Sequence, residues 1–222
     1  MRVEWYGQSA FHLDGEQASV AIDPFGDMSM AASRGIQWDY PPIPAIAADL
    51  LLVTHEHGDH NAVEAIGGEP TTLRSTAGTL DSPLGQVTAI ASEHDENAGV
   101  QRGPNTIFVF TLDGLRVAHM GDFGQRELRD EQAEAIGEID LLFIPVGAGP
   151  TIGAEQAAAI VARLAPRWVV PMHYRTPRIG FLEPADEFLA LFERVQSLDE
   201  PAFDTGALAD GEGPLVVVPA AP

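Results

Sequence analysis

Four side chains able to hold a metal ion, His55, His57, Asp59 and His60, fall within six residues of the segment Thr54-His55-Glu56-His57-Gly58-Asp59-His60-Asn61. On a helix, His55 and His57 would point to nearly opposite sides, because two residues rotate the chain by about 200°. A loop at the end of a strand can instead turn all four toward one point, and Thr54 and Gly58 suit such a turn. The helical zincin pattern needs histidines four apart, whereas position 59 is Asp. Glu56 therefore reads as a solvated or structural side chain rather than a general base. Imidazoles packed together carry a desolvation and repulsion cost unless something binds them, so the cluster points to a metal. With no cysteine in the chain, the ligands can only be imidazole and carboxylate. That donor set suits Zn²⁺ first, and also Mn²⁺ or Fe²⁺.

The cluster follows directly on Leu50-Leu51-Leu52-Val53, a continuous apolar run expected of a strand buried on both faces. Before it, Arg2–Tyr6, Ala10–Leu13 and Ser19–Ile22 read as short strands of a meander. The stretch from Asp23 to Asp49 holds four prolines and little periodicity. It reads as a long loop in which Phe25, Trp38 and Tyr40 either cover a substrate or pack the loop down. Ala62–Ile66 reads as a short helix. Thr71–Ser75, Gln86–Ser92, Thr106–Leu112, Leu115–His119, Leu141–Val146, Trp168–Pro171 and Leu215–Val218 read as strands. Helices are expected over Glu127–Ile136, Ala154–Leu164 and Ala185–Val195, the last with Phe188, Leu191, Phe192 and Val195 facing inward. One mixed α/β domain over residues 1–222 accounts for the pattern.

Composition narrows the function classes. The 222 residues are 45% hydrophobic and 20% charged, which is ordinary globular usage, and no apolar run is long enough to cross a bilayer. The N-terminal sequence goes straight into alternating strand-like residues, without the basic start and apolar run of a secretory signal, so a cytoplasmic location is expected. The formal net charge of −21, with all 12 basic residues arginine, repels polyanions and argues against nucleic acid as a partner. A small-molecule substrate is expected instead, with no membrane partner.

The His55–His60 segment resembles the signature of the metallo-β-lactamase superfamily, His-x-His-x-Asp-His, at the end of a buried strand. Other elements recur in the family's order: Ile22-Asp23-Pro24, His94 after the strand Gln86–Ser92, Gly121-Asp122 after the strand ending at His119, and His173 in Pro171-Met172-His173-Tyr174. The resemblance implies a four-layer αββα sandwich. It also implies a site for two divalent metal ions, with His55, His57 and His94 on the first, Asp59, His60 and His173 on the second, and Asp122 bridging them. The activity implied is a metal-dependent hydrolase in which a metal-bridged hydroxide cleaves a small ester, lactone or phosphodiester, with Asp59 as its catalytic residue. Within the superfamily the chain resembles the branch of ascorbate-6-phosphate lactonase and its cytoplasmic relatives. The segments that carry this are Tyr6-Gly7-Gln8-Ser9-Ala10-Phe11, Ile144–Thr151 and Met172-His173-Tyr174-Arg175-Thr176. Gln8 and Gln125 stand where many relatives have His.

Each residue has a second reading. His94 lies in the acidic turn Ser92–Asn97 and would otherwise be a surface histidine. Asp122 would otherwise cap a turn, and Asp23 would end a strand rather than hydrogen-bond a ligand histidine. Strand alternation turns His119 away from the site if Asp122 points in, so His119 belongs to a supporting position or the core. His12 reads as structural. Gly147–Gly153 either cradles an anion at the start of the helix Ala154–Leu164 or serves only the backbone. Arg175 and Arg178 either bind a substrate anion or pair with the protein's own acids. Tyr174 is a weak candidate for a general acid. The alternatives to a small-molecule hydrolase are a nucleic-acid phosphodiesterase and a catalytically inert metal-binding scaffold. β-Lactam hydrolysis is a poor match, since the cysteine used in many such enzymes is missing.

Overall fold

The computed structural model describes residues 1–33 and 35–222. In chain order its elements are β1 (Arg2–Gly7), β2 (Ala10–Asp14), β3 (Ser19–Ile22), α1 (Ser29–Ser33), β4 (Ile46–Ala47), β5 (Leu50–Val53), β6 (Ile66–Gly67), β7 (Thr71–Arg74), β8 (Gly78–Ser82), β9 (Gly85–Glu93) and β10 (Pro104–Leu112). There follow β11 (Leu115–His119), α2 (Asp130–Ile136), β12 (Leu141–Pro145), α3 (Ala154–Leu164), β13 (Trp168–Met172), α4 (Asp186–Leu189), β14 (Val195–Ser197), β15 (Ala202–Asp204) and β16 (Leu215–Val218). They build a six-stranded sheet, ordered β15-β1-β2-β3-β5-β7, and an eight-stranded sheet, ordered β14-β16-β13-β12-β11-β10-β9-β8.

The sheets pack face to face because each strand has an apolar inner face. Trp5, Phe11, Leu13, Ile22, Leu50 and Leu52 come from the first sheet and meet Phe108, Phe110, Phe143 and Val170 from the second, all in one buried cluster. The Phe11 and Phe143 rings lie 4.5 Å apart across the seam. The strands β12 and β13 are buried at every position, which requires cover on their outer face as well. Part of that cover is α3, which buries Ala157, Ile160 and Val161 along one stripe, and Ile136 of α2 joins the same core. The result is the αββα sandwich expected from the resemblance. The layer outside the six-stranded sheet is thin: Ala21, Leu51 and Val53 are covered by Ala48, Ile66 and Val63 around the small β4–β6 pair.

Strand direction places the chemistry. Strand β5 is parallel to β3, and β11, β12 and β13 are mutually parallel. Strand β10 is antiparallel to both β9 and β11, so β9 runs with β11. The chain therefore leaves β3, β5, β9, β11 and β13 at the same edge, where Asp23, His55, His94, Asp122 and His173 follow. At that edge Thr106 N–H donates to the Thr54 carbonyl at 2.9 Å, tying the two sheets together.

Three expected elements differ. The helix over Ala185–Val195 shrinks to Asp186–Leu189, because Val195 pairs with Val216 in β14 and sheet pairing outweighs the helical spacing of the apolar residues. Phe188 is buried there, while Leu191 and Val195 are exposed. The helix expected from Glu127 begins at Asp130, because the Gln132 side chain accepts from the Arg129 N–H and fixes the start. Ala62–Ile66 holds only a 3₁₀ turn, Val63–Ala65, since Ile66 is drawn into pairing with Ile46. No helix among the described residues is long and apolar enough to cross a membrane.

Because Phe143 is fully buried where the sheets meet, Phe143→Ala is expected to cost about 3–5 kcal/mol. Urea unfolding monitored by circular dichroism measures this, with the slope of the transition unchanged.

Candidate metal centre

Four of the seven expected ligands, His55, His60, His94 and His173, converge on the carboxylate of a fifth, Asp122. Its Oδ2 lies 3.2 Å from His94 Nε2, 3.2 Å from His173 Nε2, 3.3 Å from His60 Nε2 and 3.9 Å from His55 Nε2. The donor atoms of His55, His57 and His94 all fall within 4.8 Å of one another, and so do those of His60, Asp122 and His173. Asp59 sits at the more open side, its Oδ2 3.6 Å from His60 Nε2. His57 is exposed and Asp59 half-buried, whereas His55, His60, His94, Asp122 and His173 are buried. Solvent and small molecules therefore approach from the His57–Asp59 side.

Local sequence explains how these side chains are aimed. The strained turn at Asp23 (φ 47°) carries its carboxylate beneath the His55–His60 loop. There Asp23 Oδ1 accepts from Thr54 N–H at 2.7 Å and Oδ2 accepts from Thr54 Oγ1 at 2.6 Å. His60 Nδ1–H donates to the same Oδ2 at 3.0 Å, and His55 Nδ1–H donates to Thr54 Oγ1 at 3.0 Å. One carboxylate thus fixes the tautomer of two histidines and leaves both Nε2 atoms facing inward. His94 Nδ1–H donates to the Pro150 carbonyl at 3.0 Å. Asp122 is held by Ser9 Oγ, which donates to Oδ1 at 3.1 Å, and by its own N–H on Asn105 Oδ1 at 3.0 Å. Gly121 has a φ of +56°, and a Cβ there would lie 2.4 Å from Asn105 Oδ1 and 2.7 Å from Thr54. Only glycine lets Asp122 approach the His55 loop this closely.

The electrostatics are those of a cage made for cations. Burial, reinforced by the neighbouring His60, pushes His55 down to about 2, and burial also lowers His57. Both rings are neutral at pH 7 and offer a lone pair. Burial opposes the charge on His60, yet the Asp122, Asp59 and Asp23 carboxylates outweigh it and raise the His60 pKa well above its ordinary value. Burial likewise opposes the charge on Asp122, but His173 and His60 hold it well below the carboxylate range. Asp59 is lowered by His60 against the same burial cost. The Nε2 atoms of His55 and His60 are buried without a hydrogen-bond partner among the described residues. The His55 lone pair without a protein donor, and a His60 Nε2 whose proton a cation can replace, fit metal ions in borderline-soft N/O coordination.

The other candidates fall outside this cage. Glu56 faces away, accepting from Arg74 Nη2 at 2.5 Å and Ser75 Oγ at 2.9 Å. His119 is fully buried with Nε2–H on the Ser9 carbonyl at 3.0 Å and Nδ1 accepting from Gly121 N–H at 3.1 Å, so it supports the turn to Asp122. His12 is half-buried in β2, away from the cluster. Gln125 Nε2 donates to the Glu127 carbonyl at 2.7 Å. In the Gly147–Gly153 loop, Thr151 N–H donates to the Ala148 carbonyl, Ile152 N–H to the Phe123 carbonyl and Gly153 N–H to Gln156, so these amides serve the backbone. Arg175 Nε donates to the Leu182 carbonyl at 2.5 Å, and Arg178 Nε to the Pro222 carbonyl at 2.8 Å. Tyr174 is buried against Trp5, its rings stacked at 5.5 Å, and burial raises its pKa. That makes it a poor proton donor. Phe25 and Tyr40 are buried and pack the long loop down with Tyr6, Ile179 and Leu182, with Trp38 against them. The supporting contacts of Ser9, Thr54 and Asn105 were not foreseen. The sequence signal for Ser9 was its place beside Gln8 in the β1–β2 turn; Asn105, inside a strand, carried none.

A buried cage of imidazoles and carboxylates, set where parallel strands of two packed sheets end, defines the metallo-β-lactamase class of metal-dependent hydrolases. A family model described as a beta-lactamase superfamily domain matches residues 2–173. A UPF0173 metal-dependent hydrolase of Methylobacterium nodulans is 32% identical, covering 99% of this chain and 96% of its own length. Another, from Pyrococcus furiosus, is 28% identical over 79% of this chain and 85% of its own. A solved structure from Thermotoga maritima, named as a Zn-dependent hydrolase of the metallo-β-lactamase superfamily, is 29% identical with a TM-score of 0.78, covering 98% of this chain and 97% of that one. The chain belongs to the beta-lactamase superfamily and, within it, to the UPF0173 family of metal-dependent hydrolases.

Two outcomes follow from this geometry. Because Asp23 orients both His55 and His60, Asp23→Asn is expected to weaken metal affinity about 10–100-fold, read by competition with a chelating dye. His60, protonated in the metal-free protein, must lose its proton to bind a cation. Its raised pKa stabilises the metal-free fold below the unfolded value near ~6.5, a contribution lost as pH rises through the folded pKa. Titration calorimetry in buffers of different ionisation enthalpy should accordingly show about one proton released at pH 7, with affinity climbing as pH rises.

Proposed function

We propose that this hydrolase is dinuclear and acts on a small ester, lactone or phosphodiester. On this reading His55, His57 and His94 would hold one divalent ion and Asp59, His60 and His173 the second, with Asp122 available to both and Zn²⁺ the preferred metal. The observation that carries the proposal is the convergence of four histidine Nε2 atoms on one Asp122 oxygen, at 3.2–3.9 Å. When bound, the two ions supply a water made nucleophilic at neutral pH and polarise the scissile carbonyl or phosphoryl oxygen.

The chain's own residues divide the remaining work. Asp23 and Thr54 keep the His55 and His60 lone pairs pointed inward, and Ser9 and Asn105 hold Asp122 in place. Asp59, ionised and the more exposed of the two ligand carboxylates, would take the proton of the attacking water on the carboxylate oxygen left free of metal. A cavity of about 460 Å³, separate from the ligand residues, is lined by Phe25, Asp27, Met28, Trp38, Tyr40 and Ile43. It suits the apolar part of a small substrate, within the size range of small-molecule sites. The net charge of −21 disfavours a polyanionic substrate. Retention of all seven ligand side chains disfavours an inert scaffold.

The test combines metal analysis with a panel of lactones, esters and phosphodiesters assayed after reconstitution. Two ions per chain with hydrolysis of at least one small substrate is the expected result. Less than one ion per chain, with no hydrolysis after reconstitution, overturns the proposal. Asp59→Asn should lower kcat about 10²–10⁴-fold while the fold persists.

A further inference from the structure

Three of the buried ligand histidines rest their outer nitrogen on a named acceptor: His60 on Asp23, His55 on Thr54 and His94 on the Pro150 carbonyl. His173 is different. Its Nδ1 is buried without a partner among the described residues. The neighbouring chain segment holds Gln8, wholly buried, whose Oε1 and Nε2 are likewise both without a partner among the described residues. The two residues touch through their backbones, His173 N–H donating to the Gln8 carbonyl at 3.3 Å. Both are held in left-handed conformations, Gln8 at φ 49° and His173 at φ 52°. Trp5 Nε1–H also donates to the Gln8 carbonyl, at 3.0 Å. The following residue, Ser9, donates to Asp122. Gln8 is therefore fixed within the wall of the metal centre, with a carboxamide that the fold itself does not use.

A histidine that ligates through Nε2 carries its proton on Nδ1, and a buried N–H needs an acceptor. We propose that Gln8 is the positioning residue for His173: its Oε1 accepts from His173 Nδ1–H through one bridging water, and so aims Nε2 at the metal centre. This rests on the dinuclear reading above. Within that second site Gln8 would give His173 a neutral outer partner beside the carboxylate that Asp23 gives His60.

The experiment compares stepwise Zn²⁺ affinities, by chelator competition, in the parent protein, Gln8→Met, Gln8→Glu and His173→Ala. Gln8→Met keeps the shape and removes the acceptor; Gln8→Glu keeps an acceptor. The expected result is that Gln8→Met weakens the second ion about 10–100-fold and leaves the first unchanged, with its Tm near that of the parent. Gln8→Glu should retain or tighten the second ion, and the Co²⁺ spectrum of Gln8→Met should change only in the bands that His173→Ala removes. Equal affinities in parent and Gln8→Met overturn the inference, as does a Gln8→Glu variant no better than Gln8→Met. Should Gln8→Met fail to fold, ¹⁵N spectra of the zinc-loaded parent decide: a solvent-protected His173 Nδ1–H supports the inference and a freely exchanging one overturns it. A parent that binds one ion alone overturns the dinuclear reading. Gln8 is then judged by whether Gln8→Met weakens that ion.

Discussion

The structure depends on one electrostatic constraint: five imidazoles and two carboxylates are gathered at a sheet edge, mostly out of water. Left to themselves, such groups repel or desolvate one another. In the metal-free chain the outcome is a compromise, with His60 charged by its three carboxylates while His55 is driven neutral by burial. Each concession points the same way. The neutral rings keep lone pairs ready, the carboxylates stay ionised, and the buried Nε2 of neutral His55 finds no protein donor among the described residues. A cation resolves all of these at once, which is why the arrangement reads as a binding site rather than a core defect.

Rigidity comes from the sheets, and aim comes from the turns. Five strands end at one edge, so each ligand segment needs only a short turn to reach Asp122. Several of those turns are costly: Asp23 and His173 both adopt positive φ, at 47° and 52°. Such strain persists only where surrounding contacts over-determine it. Here those contacts are the Asp23–Thr54 hydrogen bonds on one side and the Gln8–His173 backbone hydrogen bond on the other. The interface that buries Phe11 against Phe143 thus keeps the two halves of the metal centre in register.

How far the sequence reveals this depends on how local each signal is. The His55–His60 spacing and the wholly apolar Leu50–Val53 run are local, and both ends of that strand and the convergence beyond it were readable. His94, Asp122 and His173 came only through resemblance, since nothing near them in the chain states that their strands run parallel. The helix expected over Ala185–Val195 failed because its apolar spacing suits a helix, whereas Val195 gains more by pairing with β16, a partner twenty-one residues away. The hairpin strand β8, largely exposed, showed no apolar alternation to read. Asn105 was invisible for a similar reason: its role is to meet Asp122 and Met120 across the sheet, a contact set by register rather than by composition.

Arginine pairing bears on what the site can recognise. Arg74, Arg126, Arg129, Arg163 and Arg167 each pair with a glutamate or aspartate, and Arg175 and Arg178 are spent on backbone carbonyls. An anionic substrate that used any of these guanidinium groups would have to break an existing contact and overcome the field of a chain whose net charge is −21. These seven guanidinium groups are thus committed elsewhere, and they do not supply positive charge to the site. That is the ground for proposing a small, weakly charged carbonyl or phosphoryl substrate rather than a long polyanion.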